Sequence, residues 1–172
     1  LLEDSSLVED RQDIVRYDPA TGDREILILA LQLQPAGSKK PLEIDNYTWS
    51  SDGSKVLIYT NSRRVWRSNS RCDYWVFDLI TGELAQLGRD FTQSTLMFAT
   101  FSPDDTRVAY VQLNNIYVEN LDSNKVTKIT SDGSTTLING TFDWVYEEEF
   151  GLRNGFRWSP DGSKIAYWQL DS

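Results

Sequence analysis

Three copies of one hairpin sequence limit what this chain can fold into. Tyr47-Thr48-Trp49-Ser50-Ser51-Asp52-Gly53-Ser54-Lys55-Val56-Leu57-Ile58-Tyr59 comes first. Ala99-Thr100-Phe101-Ser102-Pro103-Asp104-Asp105-Thr106-Arg107-Val108-Ala109-Tyr110 follows, then Phe156-Arg157-Trp158-Ser159-Pro160-Asp161-Gly162-Ser163-Lys164-Ile165-Ala166-Tyr167. Each reads aromatic, Ser, Ser or Pro, Asp, Gly or Asp, a polar pair, then an alternating apolar run. The aromatic ends one strand. Pro fixes φ and Gly tolerates positive φ, so the middle is a tight turn. Val, Leu and Ile then start the return strand, which makes the unit a β-hairpin. Repetition at roughly 50 to 60 residues is the mark of an array of similar units.

A second element recurs after the hairpins. Ile14-Val15-Arg16-Tyr17-Asp18-Pro19-Ala20-Thr21-Gly22 is one copy, and Tyr74-Trp75-Val76-Phe77-Asp78-Leu79-Ile80-Thr81-Gly82 is another. Ile116 to Lys125 is a looser third. Each reads as a strand, a turn and a short outer strand, such as Val126 to Thr130. Two hairpins per repeat give a four-stranded blade, and blades in series give a β-propeller. The expected fold is therefore all-β: a partial β-propeller of four-stranded antiparallel blades, with one short helix inserted near 143–150. The sequence holds the outer half of one blade, two whole blades and the inner hairpin of a fourth. Closed propellers have about four to eight blades, and an open one leaves strand edges that invite aggregation. The chain also opens on Leu1-Leu2-Glu3 and stops at Asp171-Ser172, straight after a strand-like run. Residues 1–172 are thus expected to be an incomplete propeller whose parent continues past both ends.

Composition removes several function classes. The chain has 17 basic and 26 acidic residues, net −9, which argues against nucleic acid as a partner. Histidine is absent, so His-based general-base catalysis and the usual zinc sites are not available. One cysteine, Cys72, permits neither an internal disulfide nor a cysteine metal site. Neither a Gly-x-Ser-x-Gly elbow nor a glycine-rich phosphate loop occurs. No catalytic residue, metal site or cofactor is expected in this stretch. Asp52, Asp104 and Asp161 read as turn residues, because the loop pattern of a Ca²⁺ site is missing. Trp49, Phe101 and Trp158 read as core. Asn46-Tyr47-Thr48 and Asn139-Gly140-Thr141 are glycosylation sequons in a host that uses them.

Leu137 to Asn154 breaks the repeat. Asp143 suits a helix N-cap, its carboxylate accepting from the Tyr146 amide. Trp144 to Phe150 then make about two turns, stopped by Gly151. Glu147, Glu148 and Glu149 are the densest charge in the sequence. An acidic run is commonly a solvated face. Here it lies among Trp144, Val145, Tyr146 and Phe150, so the helix is expected to be packed and the carboxylates held. Consecutive helical residues diverge by about 100°, so two can flank one cation while the third points elsewhere. Mutual repulsion of the carboxylates would be relieved by an ammonium.

Asp143-Trp144-Val145-Tyr146-Glu147-Glu148-Glu149 resembles the Asp-Trp-Val-Tyr-Glu-Glu-Glu segment of the dipeptidyl peptidase IV family. Asn139-Gly140 upstream and Trp158-Ser159-Pro160-Asp161-Gly162 downstream also stand where that family has them. Val65-Trp66-Arg67-Ser68, followed by Tyr74-Trp75-Val76-Phe77-Asp78-Leu79, is similar to the family's Gln-Trp-Arg-His-Ser stretch and the strand after it. Val65 and Ser68 depart from that pattern, and Arg63, Arg64 and Arg71 are neighbouring alternatives for the arginine. The likeness runs from about Glu43 to Gln169. It implies that Glu148 and Glu149 bind the free α-amino group of a peptide substrate and that Arg67 holds its carbonyl. A guanidinium suits the second role through its permanent charge and planar fork of donors. The implied parent is a serine-type dipeptidyl peptidase that removes N-terminal Xaa-Pro or Xaa-Ala dipeptides, its triad on a C-terminal α/β-hydrolase domain absent from this chain. Members of the family often dimerise through other parts. They are often secreted, periplasmic or anchored with this region outside the cytoplasm. Two rival readings stand: a relative that has lost its catalytic serine and serves as a partner protein, and a plain interaction propeller with a solvated glutamate patch.

Overall fold

The computed structural model describes residues 1–66 and 68–171. Its inner strands are buried at successive residues, Val56 to Ile58 and Val108 to Gln112, so both faces of the sheet are covered there. β1 (Leu2–Asp4), β2 (Gln12–Tyr17) and β3 (Arg24–Ile28) form a three-stranded antiparallel sheet with β2 in the middle. A single 3₁₀ turn, Ala30–Leu33, follows. The sequence reading has no helix here. Tertiary contact creates the turn: Ala30 and Leu33 are buried, and the Ala30 amide donates to the buried Asp13 carboxylate at 2.7 Å.

β4 (Asn46–Trp49), β5 (Lys55–Val65), β6 (Ser68–Asp78) and β7 (Leu84–Gln86) make a four-stranded antiparallel meander. β8 (Leu96–Phe101), β9 (Arg107–Gln112), β10 (Asn115–Asn120) and β11 (Val126–Lys128) make a second. A short pairing of β6 with β8, Arg71 opposite Met97 and Cys72 opposite Leu96, joins the two. β12 (Leu137–Asn139) pairs with β15 (Gln169–Asp171), and β13 (Phe156–Trp158) with β14 (Ile165–Tyr167). The helix α1 (Trp144–Phe150) lies between β12 and β13. The fold is therefore mostly β, antiparallel throughout, with one short α-helix.

The three repeated turns share one hydrogen-bond circuit. Ser50 Oγ donates to Asp52 at 2.8 Å and accepts from the Lys55 amide at 2.9 Å. Ser102 with Asp104 and Arg107, and Ser159 with Asp161 and Lys164, repeat it. The aspartates are turn residues, as their spacing implies; the amides and hydroxyls of Ser54, Thr106 and Ser163, two residues on, donate to them as well, and with the serine hydroxyls pull all three carboxyls down to about 2. The residue after each aspartate has positive φ: Gly53 at 71°, Asp105 at 54° and Gly162 at 67°. Asp105 tolerates a left-handed conformation that suits glycine better, and its carboxylate uses the position. It accepts from the Ser51 and Asp52 amides of the preceding turn, both at 3.0 Å. Arg107 reaches the other way. Its guanidinium donates to the Gly162 carbonyl at 2.9 Å and lies 5.2 Å from the Trp158 ring centroid. Neighbouring turns are thereby latched into a row.

Three apolar clusters form the core. One is built on Leu57, Tyr74, Val76, Val108 and Tyr110, another on Ile14, Ile28, Leu33, Val56, Ile58 and Phe77. Ala109, Val111, Ile116 and Phe156 form the third. Trp49, Phe101 and Trp158 are half-buried and pack against the edges of these clusters.

Candidate functional site

The segment carrying the three glutamates leaves the sheet through a narrow neck. Gly140 donates to the Trp168 carbonyl, Gly155 donates to Gly140, and Trp168 donates to Gly155, all at 2.9–3.0 Å. A Cβ on Gly155 would meet the Gly140 carbonyl carbon at 3.0 Å, so the two segments approach this closely only because Gly155 lacks a side chain. Gly140 also has φ of 74°, with Ile116 2.8 Å from where a Cβ would stand. Immediately beyond, Thr141 bridges to Asn154, and its hydroxyl donates to the Arg153 carbonyl at 3.2 Å. Residues 142–153 are thus a loop pinned at its base, and α1 is its body.

Local chemistry sets the helix ends as the sequence implies. The Asp143 carboxylate accepts from the Tyr146 amide at 3.0 Å. Gly151 closes the helix in the left-handed region, φ 66°, with its amide on the carbonyls of Glu147 and Tyr146. Packing departs from expectation. Trp144, Val145, Tyr146 and Phe150 are 52%, 48%, 38% and 68% exposed, so these apolar side chains do not seat the helix among the described residues. The one buried helix residue is Glu147, at 7% exposure. Among the described residues the helix makes aromatic contact with its surroundings through Tyr146: Phe142, buried, stacks on it at 5.6 Å and meets Trp168 at 5.8 Å.

The three carboxylates accordingly separate. Glu147 turns inward, Glu148 is half-buried and Glu149 is exposed. From an inward Glu147 the 100° step carries Glu148 to the flank of the helix and Glu149 to its far side. Glu147 Oε1 lies within 3.8 Å of Arg153 Nε. That is a charge contact rather than a hydrogen bond, since it exceeds hydrogen-bond reach, and Oε1 has no hydrogen-bond partner among the described residues. Sequence reasoning missed Arg153. It follows the helix stop, where no helical spacing ties it to Glu147.

Arg67 lies outside the described residues. Its flanks show the setting: β5 and β6 form a hairpin of 11 residues a side, with Val65 opposite Ser68 and Trp66 at the tip with φ of 52°. The sequence reading ended these strands near Tyr59 and began them again near Tyr74. The polar stretch between carries no apolar alternation and is held instead by side chains. Asn61 donates to Asp73 at 2.8 Å and Asn69 to Ser62 at 3.1 Å. Arg64, one of the neighbouring arginines, is engaged locally, its Nε on the Trp66 carbonyl at 2.7 Å.

Between this hairpin, β8 and the segment after α1 lies a cleft of about 430 Å³. Asp45, Tyr59, Ser70, Phe98, Arg153 and Asn154 contribute to its walls. Ser70 is 5% exposed and its hydroxyl has no partner among the described residues. Cys72 is also in the wall, and burial pushes its thiol up to about 11, which makes it a poor nucleophile. Among the described residues no group of three or more His, Cys, Asp or Glu is placed to hold a metal.

Residues 50–172 match the family described as the dipeptidyl peptidase IV (DPP IV) N-terminal region. A probable dipeptidyl-aminopeptidase B from Talaromyces marneffei is 38% identical over 122 residues, 70% of this chain and 14% of that protein. Dipeptidyl aminopeptidase B of Saccharomyces cerevisiae is 37% identical over 132 residues, 76% of this chain and 16% of that protein. The crystal structure of Porphyromonas gingivalis dipeptidyl peptidase 4 superposes with a TM-score of 0.83 at 33% identity, covering 95% of this chain and 23% of that one. The chain thus spans about one-seventh of the length of the curated relatives it matches. Sequence pattern, fold and relatives agree, and the chain belongs to the dipeptidyl peptidase IV N-terminal region family.

Proposed function

We propose that this chain is the substrate-holding part of a serine-type dipeptidyl peptidase that removes N-terminal Xaa-Pro or Xaa-Ala dipeptides. In this reading the two antiparallel meanders are blades of an incomplete β-propeller. The triad sits on an α/β-hydrolase domain elsewhere in the parent, which pairs through other parts if it dimerises. Glu148 and Glu149 anchor the ammonium of the peptide's N-terminus, and Arg67 takes its carbonyl. The observation that carries the reading is the sorting of the glutamates on a capped helix: Glu147 is buried, Glu148 half-buried and Glu149 exposed, so its two successors rather than Glu147 can meet a peptide. Anchoring the amino terminus makes a ruler. Only the bond two residues along reaches the nucleophile, so orientation rather than chemistry defines the product.

A second reading, a non-catalytic relative serving as an interaction module, draws on the exposed Trp144, Val145, Tyr146 and Phe150, which a partner could cover. Hydrolysis of Gly-Pro-p-nitroanilide by the full-length parent decides between them, wild type against Glu149→Gln. The peptidase reading requires an active wild type and a large loss in the folded variant. An inactive wild type favours the module. Activity untouched by the substitution means that Glu149 is only part of a solvated face.

A further inference from the structure

Only one residue of α1 is buried, and it is a carboxylate. That reverses the usual logic of a surface helix, in which apolar side chains fix the rotation and charged ones face water. A helix of seven residues has little stability of its own. What holds this one is the Asp143 cap, the Gly151 stop, the stacking of Tyr146 on Phe142, and the seat of Glu147. The caps fix where the helix begins and ends. The buried side chain fixes its rotation about the axis, and therefore where Glu148 and Glu149 stand.

A carboxylate taken out of water must be paired or it is strongly disfavoured. Arg153 supplies the countercharge at 3.8 Å, and it is itself anchored: its carbonyl accepts from Thr141 at the pinched neck. Arg153 also stands in the wall of the 430 Å³ cleft beside the long hairpin, with about half its side chain open to solvent. We infer that Arg153 is a positioning residue for the ammonium clamp: by neutralising the inward Glu147 it locks the rotation of α1, and so sets where Glu148 and Glu149 stand toward a peptide amine. This rests on the reading of Glu148 and Glu149 given above. It adds a residue that touches no substrate and acts through another side chain.

The pairing makes a distinctive set of expectations. Removing Arg153 strands a buried charge, so Glu147 swings out toward water and the helix turns. Removing Glu147 alone frees a guanidinium beside the clamp, where it competes with the substrate's ammonium. Both changes weaken ammonium binding, and the two together are milder than their sum because each removes the other's unpaired charge. The test uses the full-length parent, with KM and kcat for Gly-Pro-p-nitroanilide and the thermal midpoint of every variant. Arg153→Ala is expected to raise KM about tenfold, the scale of one charge-assisted contact. kcat should move less than about threefold, the pattern of lost uniform binding. Arg153→Lys should keep most of the affinity, and Glu147→Gln combined with Arg153→Ala should bind better than Arg153→Ala alone. If Arg153→Ala does not fold, the Lys variant and the Glu147→Gln single carry the comparison.

An unchanged KM in folded Arg153→Ala overturns the inference, as does a double variant whose loss equals the sum of the singles. If Glu149→Gln also leaves KM unchanged, the ammonium clamp itself is wrong and the positioning role falls with it. A damaging Glu149→Gln beside a silent Arg153→Ala removes the positioning role alone.

Discussion

Replacing Asp105 tests whether the row of turns is held by a side chain that stands where the other two repeats have glycine. The Asp105 carboxylate is 5% exposed and accepts from two amides of the adjacent turn, Ser51 and Asp52, both at 3.0 Å. A hydrogen bond to a charged group contributes about 1.5–3 kcal/mol. Ser51 and Asp52 are exposed, so their amides regain water when freed and the lower value applies, ~3 kcal/mol for the pair. Against this stands the left-handed backbone at φ 54°, which costs a non-glycine residue about 1 kcal/mol. Asp105→Gly relieves that cost and nets a loss of ~2 kcal/mol, whereas Asp105→Ala keeps it and loses ~3 kcal/mol. Asp105→Asn tolerates the backbone and keeps one acceptor oxygen, for a loss of ~1.5 kcal/mol. Hydrogen exchange of the Ser51 and Asp52 amides reads these differences locally, without requiring two-state unfolding of a large parent. At about 1.4 kcal/mol per tenfold, protection should fall roughly tenfold for Asn, 30-fold for Gly and 100-fold for Ala. Glycine matching or exceeding aspartate in protection would refute the latch, since backbone relief alone would then decide the position.

Three further outcomes follow from the same contacts. Arg107→Ala removes the bond to Gly162 and the contact with Trp158, and should cost about 1–2 kcal/mol, seen as a red-shifted tryptophan emission and faster exchange in the β13–β14 turn. Asp52, Asp104 and Asp161 have carboxyls depressed to about 2. A folded pKa below the unfolded one adds stability that is present above the ordinary carboxylate value and lost as pH falls toward 2, so replacing all three with Asn should flatten acid unfolding in that window. Cys72, 4% exposed with its thiol near 11, should resist a thiol-directed disulfide reagent at pH 8 and react after denaturation. Rapid native labelling would contradict its burial.

Much of this architecture was legible because its signals are local. The Ser-x-Asp turns carry their own hydroxyl–carboxylate circuit, and aromatic and β-branched alternation flanks each of them. The helix was legible to the residue for the same reason: Asp143 caps Tyr146 and Gly151 takes the left-handed stop. What escaped depends on residues distant in sequence. The 3₁₀ turn at Ala30 needs Asp13, 17 residues earlier. The outer half of the long hairpin is polar, so strand formation there rests on pairs such as Asn61 with Asp73. The sequon at Asn139 is visible in the sequence, but its burial is not: Asn139 is fully buried, donating to the Asn114 carbonyl and to Asp132 and accepting from Gln169.

The glutamate helix shows the difference between the existence of an element and its orientation. Its apolar residues recur around most of the short cylinder, so no face is marked for burial. Trp144, Val145 and Tyr146 advance by about 100° each and cannot all point the same way as Phe150. An amphipathic argument therefore has no purchase, and the expectation that bulky neighbours hold the carboxylates fails on exposures of 38–68%. The rotation is chosen instead by the neck, which places Arg153 where a single carboxylate can meet it. Of three identical side chains in a row, the neck selects Glu147. The run itself was readable from sequence, but which of its carboxylates turns inward was not: Glu147 meets a cation six positions away, beyond a helix stop.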